Sequence, residues 1–201
     1  MVLSNSAIFD ALDDGRLVIE PQPTPRLQTP GGPKSPFDTT GVDLNLAPTI
    51  QIAEPGVQTV IDFREPGNVA TTLSKLTERR ELPDDGWKIP LNTLILAQTA
   101  EVVSLPFPRD LAEPGRSRPA LGARVEGKSS LARFGVLVHF TAPTIHAGWS
   151  GQITLEIMGF GKPLMLYPGM PICQLILDQV VGDPLESQSQ FQGQRMPAGE
   201  R

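Results

Sequence analysis

The chain has 201 residues, of which 39% are hydrophobic, and it carries a formal net charge of −5 at pH 7. This size and apolar content suit one domain with its own core, whereas the negative charge argues against the basic surface of a general nucleic-acid-binding protein. The N-terminus does not resemble a secretory signal, and no apolar run approaches the ~18 residues of a membrane span, so we expect binding to neither nucleic acid nor membrane.

The first predicted element is a short helix. Ser4 is a suitable N-cap for it. Ile8 and Leu12 would lie on one face, and Gly15 stands where a left-handed residue commonly ends a helix. Residues 21–36 are too rich in proline and glycine for a helix or a central strand. They predict a loop, or an arm that embraces another subunit.

Strand-like segments separated by turn residues follow this loop. They are residues 42–46, 57–63, 87–91, 93–97 and 101–105. Residues 69–81 have apolar residues near helical spacing and predict one or two helical turns. The chain has 19 glycines and 21 prolines, well above the roughly 12% of average usage for the pair. The predicted fold class is all-β, a jelly-roll-like double sheet.

Residues 127–133 read Gly-Lys-Ser-Ser-Leu-Ala-Arg and concentrate groups that bind phosphate. Backbone N–H groups and hydroxyls can donate to a triphosphate, while Lys128 and Arg133 neutralise its charge. The alternatives are ordinary turn serines with surface charges, or a P-loop. A P-loop needs an upstream glycine, which Gly122 provides, but also a parallel βα unit, which the surrounding sequence does not predict. We therefore interpret the segment as a site for a small anionic ligand.

A second motif, residues 146–156, ends in a carboxylate. From Ser150 onwards polar and apolar residues alternate, so Leu155 would face the core while Thr154 and Glu156 lie on the opposite, polar face. A carboxylate in this position can transfer protons, although most strand glutamates simply face solvent. Farther along, the single cysteine, Cys173, has apolar neighbours and predicts a buried thiol in a reducing, cytoplasmic compartment.

The two motifs together resemble the dCTP deaminase branch of the dCTP deaminase/dUTPase family. Its signature reads G-R-S-S-L-A-R, then T-A, then G-W-S-G or G-F-S-G, then L-E, and the matching residues here are 127–133, 141–142, 148–151 and 155–156. Residues 2–19 and 41–46 resemble the family's opening helix and strand and its S-Y-D-V-R-L segment. Residues 164–175 resemble its last core hairpin, with residues 167–170 as the turn.

This resemblance implies a dUTPase-like homotrimer with active sites between subunits. Residues 1–180 would form the domain, and residues 181–201 a flexible tail that closes over bound nucleotide. The implied reaction is zinc-independent hydrolysis of dCTP to dUTP and ammonia, with dTTP as a candidate inhibitor. One alternative is a bifunctional enzyme that converts dCTP to dUMP and pyrophosphate. The other is a nucleotide-binding sensor with weak catalysis.

The resemblance also implies residue roles. Glu156 would act as base and then acid, Ser129 and the Ala142 carbonyl would orient the water, and Arg133 would complete the network. The expected substrate contacts are Lys128, Ser129, Ser130, Leu131, Ala132, Arg133, His146, Thr154, Leu155, Glu156, Gln190 and Gln194. With one cysteine and two histidines the chain cannot build the His/Cys zinc site of other deaminases. Mg²⁺ is expected to arrive on the triphosphate.

The chain departs from the usual family pattern at several places. Lys128 replaces an arginine, which loses a bidentate fork but keeps the charge. His146 stands where the family has an aspartate that contacts the sugar 3′-hydroxyl. Since a neutral imidazole is a weaker acceptor than a carboxylate, this favours deamination alone over the bifunctional reaction. Residues 190–194 read Gln-Phe-Gln-Gly-Gln, where the family has K-Y-Q-G-Q.

His139 is interpreted as a core or interface histidine outside the site.

Overall fold

The structure, a computed structural model, describes residues 1–53, 60–62, 64, 69–111, 118–187 and 189–199. Its strands are β1 (Val18–Glu20), β2 (Val42–Asn45), β3 (Thr49–Ala53), β4 (Thr77–Glu81), β5 (Trp87–Ile89), β6 (Ile95–Ser104), β7 (Leu121–Gly127), β8 (Val136–Leu137), β9 (Thr144–Ile145), β10 (Ser150–Gly159), β11 (Leu164–Leu166) and β12 (Pro171–Gln179). Its helices are α1 (Asn5–Asp13), α2 (Val69–Leu76) and α3 (Ser129–Ala132), with a 3₁₀ turn at Pro108–Asp110.

Helix α1 forms as predicted. The Ser4 Oγ accepts a hydrogen bond from the Ala7 N–H at 3.4 Å, which satisfies one of the free donors of the first turn. Ile8 and Ala11 are fully buried and dock the helix on the core. Gly15 has a φ of +79° just after the helix ends, the left-handed conformation that favours glycine at this place.

The strands form two main antiparallel sheets. One has the order β4-β3-β6-β10-β8, with β1 also paired to β6, and the other has the order β2-β12-β7-β9. Strands β5 and β11 form a separate pair. A single cluster of buried apolar side chains draws on both main sheets, so the core lies between them. The predicted all-β double sheet is confirmed.

Strand β10 supports the candidate site. Leu155 and Ile157 are fully buried, whereas Thr154 and Glu156 point to the other face and are only half-buried. This is the predicted alternation. Along one edge β10 pairs with β6, and along its other edge the last two residues pair with β8. The β10 backbone is therefore fixed on both sides close to Glu156.

The elements predicted for the middle and end of the chain differ in part from those of the structure. The predicted strands 93–97 and 101–105 are one strand, β6, because no glycine or proline interrupts the residues between them. The predicted hairpin 164–175 is wrong, because β11 pairs with β5 while β12 pairs with β2 and β7. The one or two helical turns predicted within 69–81 are present as α2, and the rest of that range forms β4. Most of the predicted strand 57–63 lies outside the described residues.

Cys173 is fully buried in the core between the sheets, as its apolar neighbours predict. Burial raises the pKa of its thiol far above the usual range, and the nearby Glu101 and Asp43 carboxylates add to the rise. The thiol is therefore protonated and unreactive in the folded protein. Among the described helices, none is long and apolar enough to cross a membrane.

Candidate active site

The first motif forms a short turn at the end of β7, which we call the 128–133 turn. Its backbone is organised by Lys128, whose carbonyl accepts hydrogen bonds from the Leu131 and Ala132 N–H groups, both at 2.9 Å. The Leu131 side chain packs against the core and anchors the turn. Ser129 and Ser130, which precede it, are exposed. The turn is thus anchored on the core and leaves its two hydroxyls accessible to a ligand.

The two cations of this turn lie in different environments. Arg133 is exposed, and within the described residues its side chain has no hydrogen bond or ion pair. The Lys128 ammonium forms an ion pair with Asp43 on β2, and the two side chains are only 15% and 11% exposed. Arg133 is therefore free to meet an anion, whereas Lys128 already has an anionic partner within the protein.

Glu156 lies on β10 beside the chain segment that leads to Ala142. Its N–H donates to the Val138 carbonyl at 3.0 Å, and its carboxylate Oε2 accepts a hydrogen bond from the Phe140 N–H at 2.9 Å. One carboxylate oxygen is thereby oriented by the protein backbone. The other oxygen has no protein donor among the described residues, and it is available for proton transfer.

A short path of backbone connects the 128–133 turn to Glu156. After the turn the chain enters β8, which pairs with Met158 and Gly159 just beyond Glu156. Gly135 makes this path possible, since its φ is +85° and a β-carbon there would collide with the Phe160 carbonyl. Within one chain, however, no hydrogen bond joins Ser129 or Arg133 to Glu156 in the described part of the molecule.

His146 lies apart from the 128–133 turn. It is exposed and follows β9, whose residues Thr144 and Ile145 pair with Arg124 and Ala123 of β7. The turn follows the opposite end of β7. His146 lies one residue beyond Ile145, the partner of Ala123, so at about 3.3 Å per residue the strand separates it from Lys128 by roughly 20 Å. The structure therefore does not bring His146 and the turn together within one chain.

The segment after His146 forms one wall of a cavity. Gly148 has a φ of +82°, and a β-carbon there would collide with the Phe107 ring, so glycine is required in this turn. Trp149 lines the cavity next to Phe107, and Glu186 of the C-terminal tail lines it as well. The second motif and the tail thus meet at one concave surface.

The end of the C-terminal tail packs against β10. The Gly193 N–H donates to the Ser150 carbonyl at 2.8 Å, and the Gln152 N–H donates to the Gln194 carbonyl at 3.0 Å. The Gln194 amide also donates to the Gln152 carbonyl at 2.7 Å and to the Thr154 Oγ1 at 3.1 Å. Thr154 and Gln194 are therefore brought together next to Glu156.

The remaining predicted site residues differ in their exposure to solvent. Gln190 is exposed, as are Ala132 and Ala142, while Leu155 is fully buried beneath the site. His139 is half-buried, with its Nε2 3.9 Å from the Glu126 Oε2. It stays outside the predicted site, although it directly precedes Phe140.

A family model described as dCTP deaminase-like matches residues 2–180. The chain belongs to this family. It is 32% identical over 182 residues to dCTP deaminase of Thermomicrobium roseum, a match that covers 90% of this chain and 80% of the relative. It is 35% identical over 205 residues to the dUMP-forming dCTP deaminase of Tropheryma whipplei, covering 98% of this chain and 90% of the relative. The predicted family is confirmed.

A solved family structure shares the fold. The 2′-deoxycytidine 5′-triphosphate deaminase from Agrobacterium tumefaciens matches with a TM-score of 0.59 and 18% sequence identity. The match covers 88% of this chain and 47% of that one, so this chain spans about half the length of the solved chain. At this identity the similarity shows the fold alone, and it supports the dUTPase-like prediction.

Two contacts at the candidate site were missed by sequence reasoning. The Phe140 N–H that holds Glu156 is a backbone group, and no residue type signals its role. Asp43 lies in the segment that resembles the family's S-Y-D-V-R-L, but nothing local in the sequence names Lys128 as its partner. Both contacts join residues that are distant along the chain.

Proposed function

We propose that the protein catalyses the hydrolytic deamination of dCTP to dUTP and ammonia. The observation that carries this proposal is the Glu156 carboxylate, half-buried on β10 and held through one oxygen by the Phe140 N–H. The segment that leads to Ala142 runs beside this carboxylate, and β8 links that segment to the turn that carries Ser129 and Arg133. Relatives named dCTP deaminase bear out the activity that the two motifs predict.

The chemistry assigns one proton path. The free oxygen of Glu156 takes a proton from a water molecule as the water oxygen bonds to C4 of cytosine. The resulting tetrahedral intermediate then takes that proton on its exocyclic nitrogen. Ammonia leaves as the C4–N bond breaks, and the second proton of the water ends on ring N3 as the C4 carbonyl forms, which completes uracil. We assign the orientation of the water to the Ser129 hydroxyl and the Ala142 carbonyl, with Arg133 completing the hydrogen-bond network.

The triphosphate would bind at the 128–133 turn. The exposed Arg133 guanidinium and the Ser129 and Ser130 hydroxyls supply donors and positive charge. In the described part of the chain, no group of three or more His, Cys, Asp or Glu is placed to hold a metal ion. We propose that Mg²⁺ enters as part of the nucleotide, where it neutralises phosphate charge.

The complete site would form between subunits of a homotrimer. This proposal is supported by the separation of His146 from the 128–133 turn within one chain, because both are assigned to the same nucleotide. Residues 181–201 would act as a tail that closes over the nucleotide bound by the domain of residues 1–180. dTTP, a related triphosphate, would compete for the same site as an inhibitor, and the enzyme would work in the cytoplasm on free deoxynucleotides.

A second candidate is the bifunctional reaction. It is favoured by the relatives named dUMP-forming, among them that of Tropheryma whipplei. Against it stands His146, since a neutral imidazole holds a water for attack at phosphorus less well than a carboxylate. The third candidate, a sensor, would bind nucleotide without turning it over.

One assay separates these candidates. The protein is incubated with dCTP and Mg²⁺, and separately with dUTP, and the products are resolved by chromatography while released ammonia is measured. We expect dUTP and ammonia from dCTP, and no consumption of dUTP. Comparable formation of dUMP and pyrophosphate would establish the bifunctional enzyme. Nucleotide binding by calorimetry without any product would establish the sensor and refute catalysis.

A further inference from the structure

Lys128 and Asp43 form an ion pair that spans the four-stranded sheet. Asp43 lies on β2 and Lys128 directly follows β7, two strands that do not pair with each other. Between them runs β12, on which Gln174 is registered with both Asp43 and Glu126. The Gln174 amide donates to the Asp43 Oδ1 at 3.0 Å, while Lys128 takes the Oδ2. Both carboxylate oxygens of Asp43 are therefore satisfied.

The surroundings of this pair are buried and acidic. Glu101, a second carboxyl, is 2% exposed and accepts hydrogen bonds from the Asn45 N–H and side-chain amide at 2.9 and 2.6 Å. The Cys173 thiol lies close enough to Asp43, Glu101 and Lys128 for all three charges to act on its pKa. Lys128 is thus the cation that offsets negative charge in this part of the sheet.

Lys128 is poorly placed to bind the phosphates while it is paired with Asp43. If its ammonium moved to a ligand, the Asp43 carboxylate would be left buried without its counter-ion, which is strongly unfavourable. Arg133, in contrast, is exposed and has no partner among the described residues. Meanwhile the Lys128 carbonyl accepts from both Leu131 and Ala132, so fixing Lys128 fixes the start of the turn and the position of Ser129.

We propose that Asp43 and Lys128 are positioning residues whose ion pair fixes the 128–133 turn, and that Lys128 is not a phosphate ligand. This rests on the proposed function, since it redefines the part that Lys128 plays in the dCTP site. The pair would act through Ser129, which orients the water, and so on the chemical step.

The test compares Asp43→Asn, Lys128→Met, the double variant and Lys128→Arg with the wild-type protein. We expect Asp43→Asn and Lys128→Met each to lower kcat for dCTP by at least about tenfold, because a small misplacement of a catalytic group is costly. KM should change less than threefold. Lys128→Arg, which keeps the charge, should recover most of the kcat that Lys128→Met loses. Arg80→Met, which breaks an exposed pair with Glu78 on β4, is the control and should change neither constant.

Urea unfolding of the same proteins tests the pair without relying on catalysis. Each single variant leaves one buried charge unpaired, so we expect the double variant to lose less stability than the sum of the two single losses. Additive losses would refute the ion pair. A rise of KM by tenfold or more in Lys128→Met with unchanged kcat, and an unaffected Asp43→Asn, would show that Lys128 binds phosphate instead. If the wild-type protein does not deaminate dCTP, the proposed function fails, and the unfolding measurements still decide whether the pair exists.

Discussion

At the scale of single residues, Glu156 combines two properties that proton transfer requires. Its buried neighbours Leu155 and Ile157 fix the strand, and the Phe140 N–H fixes one carboxylate oxygen. The side chain itself is only half-buried, so water and substrate can approach it. A general base needs both orientation and access, and the alternating pattern of β10 provides them together.

Glu156→Gln should abolish deamination while the fold is retained. The amide oxygen can still accept from the Phe140 N–H, but the amide cannot take a proton from water, so we expect a fall of about 10²- to 10⁴-fold in the rate. Ammonia release measures activity, and calorimetry with dCTP measures binding, which should stay within a few-fold of wild type. Glu20→Gln, at an exposed position on β1, serves as the control. Activity of Glu156→Gln within tenfold of wild type would contradict the assignment.

Glu101 on β6 is a residue whose ionisation acts on stability. Burial raises its pKa above the usual range, although hydrogen bonds from Asn45 oppose that rise. A carboxyl whose pKa is higher in the folded than in the unfolded protein stabilises the fold while it is protonated. That contribution is complete below the unfolded pKa, near pH 4, and it is lost as the pH rises through the folded pKa.

We therefore expect Glu101→Gln to flatten the pH dependence of the free energy of unfolding. The amide stays neutral at every pH, so the variant avoids the wild-type loss, which amounts to about 1.4 kcal/mol for each unit by which the pKa is raised. Urea unfolding of both proteins between about pH 4 and neutrality measures the two curves. If the curves stay parallel over that range, Glu101 does not titrate as described.

Among helices and strands, the sequence predicted those elements whose caps or apolar spacing lie within one short segment of the chain. The cap and apolar spacing of α1 and the alternation of β10 are of this kind, and both were predicted. Strands β3 and β4 were missed. The side chains of β4 are largely exposed and charged, and its stability comes from pairing with β3, which no local pattern records. The false hairpin of β11 and β12 has the same cause, because a turn between two strands does not say which sheet each one joins.

The residues of the candidate site were predictable from the sequence, but the contacts between distant segments were not. The motifs gave the residue types, and the resemblance gave their roles, but neither gave the contacts that join distant segments. The hydrogen bond of Glu156 to Phe140 and the ion pair of Lys128 with Asp43 arise only when sheets assemble. The tail has too little apolar content to fold alone, and its end nevertheless packs on β10 through hydrogen bonds.

Gln194 provides a test of how the tail is held. It is 5% exposed, and its amide donates to Gln152 and Thr154 on β10. Gln194→Ala should release the tail, because it removes two hydrogen bonds and leaves a buried carbonyl unsatisfied, a loss equivalent to about tenfold in docking. Limited proteolysis should then cut the tail faster, and KM for dCTP should rise by a similar factor.

The exposed Gln190 offers a matched control for this change. Within the described residues the Gln190 side chain has no hydrogen bond to β10, so proteolysis of the tail in Gln190→Ala should match wild type. If Gln194→Ala and Gln190→Ala are cut at the same rate as the wild-type protein, the tail is not held by Gln194.

At the scale of the whole molecule, the surface around β8 is unusually apolar for a position next to a polar site. Phe134, Phe160 and Leu137 are 70%, 44% and 40% exposed. Phe134 and Phe160 lie close together, because the Phe160 N–H donates to the Gly135 carbonyl at 2.9 Å. Adjoining exposed apolar side chains are typical of surfaces that other chains cover. The same face carries the segment between the 128–133 turn and Glu156, so a second subunit that covered it would also border the candidate site.

This arrangement leads us to expect a homotrimer of about three times 21.7 kDa in solution. Light scattering coupled to gel filtration measures the mass of the wild-type protein and of Phe134→Glu. A carboxylate at this exposed position should leave an isolated chain folded, but it would be buried without a partner in an interface, so the variant should dissociate. Because His146 and the 128–133 turn are far apart in one chain, dissociation should also abolish deamination. Circular dichroism confirms that the variant is folded. A wild-type monomer with full activity would show that each chain builds its site alone.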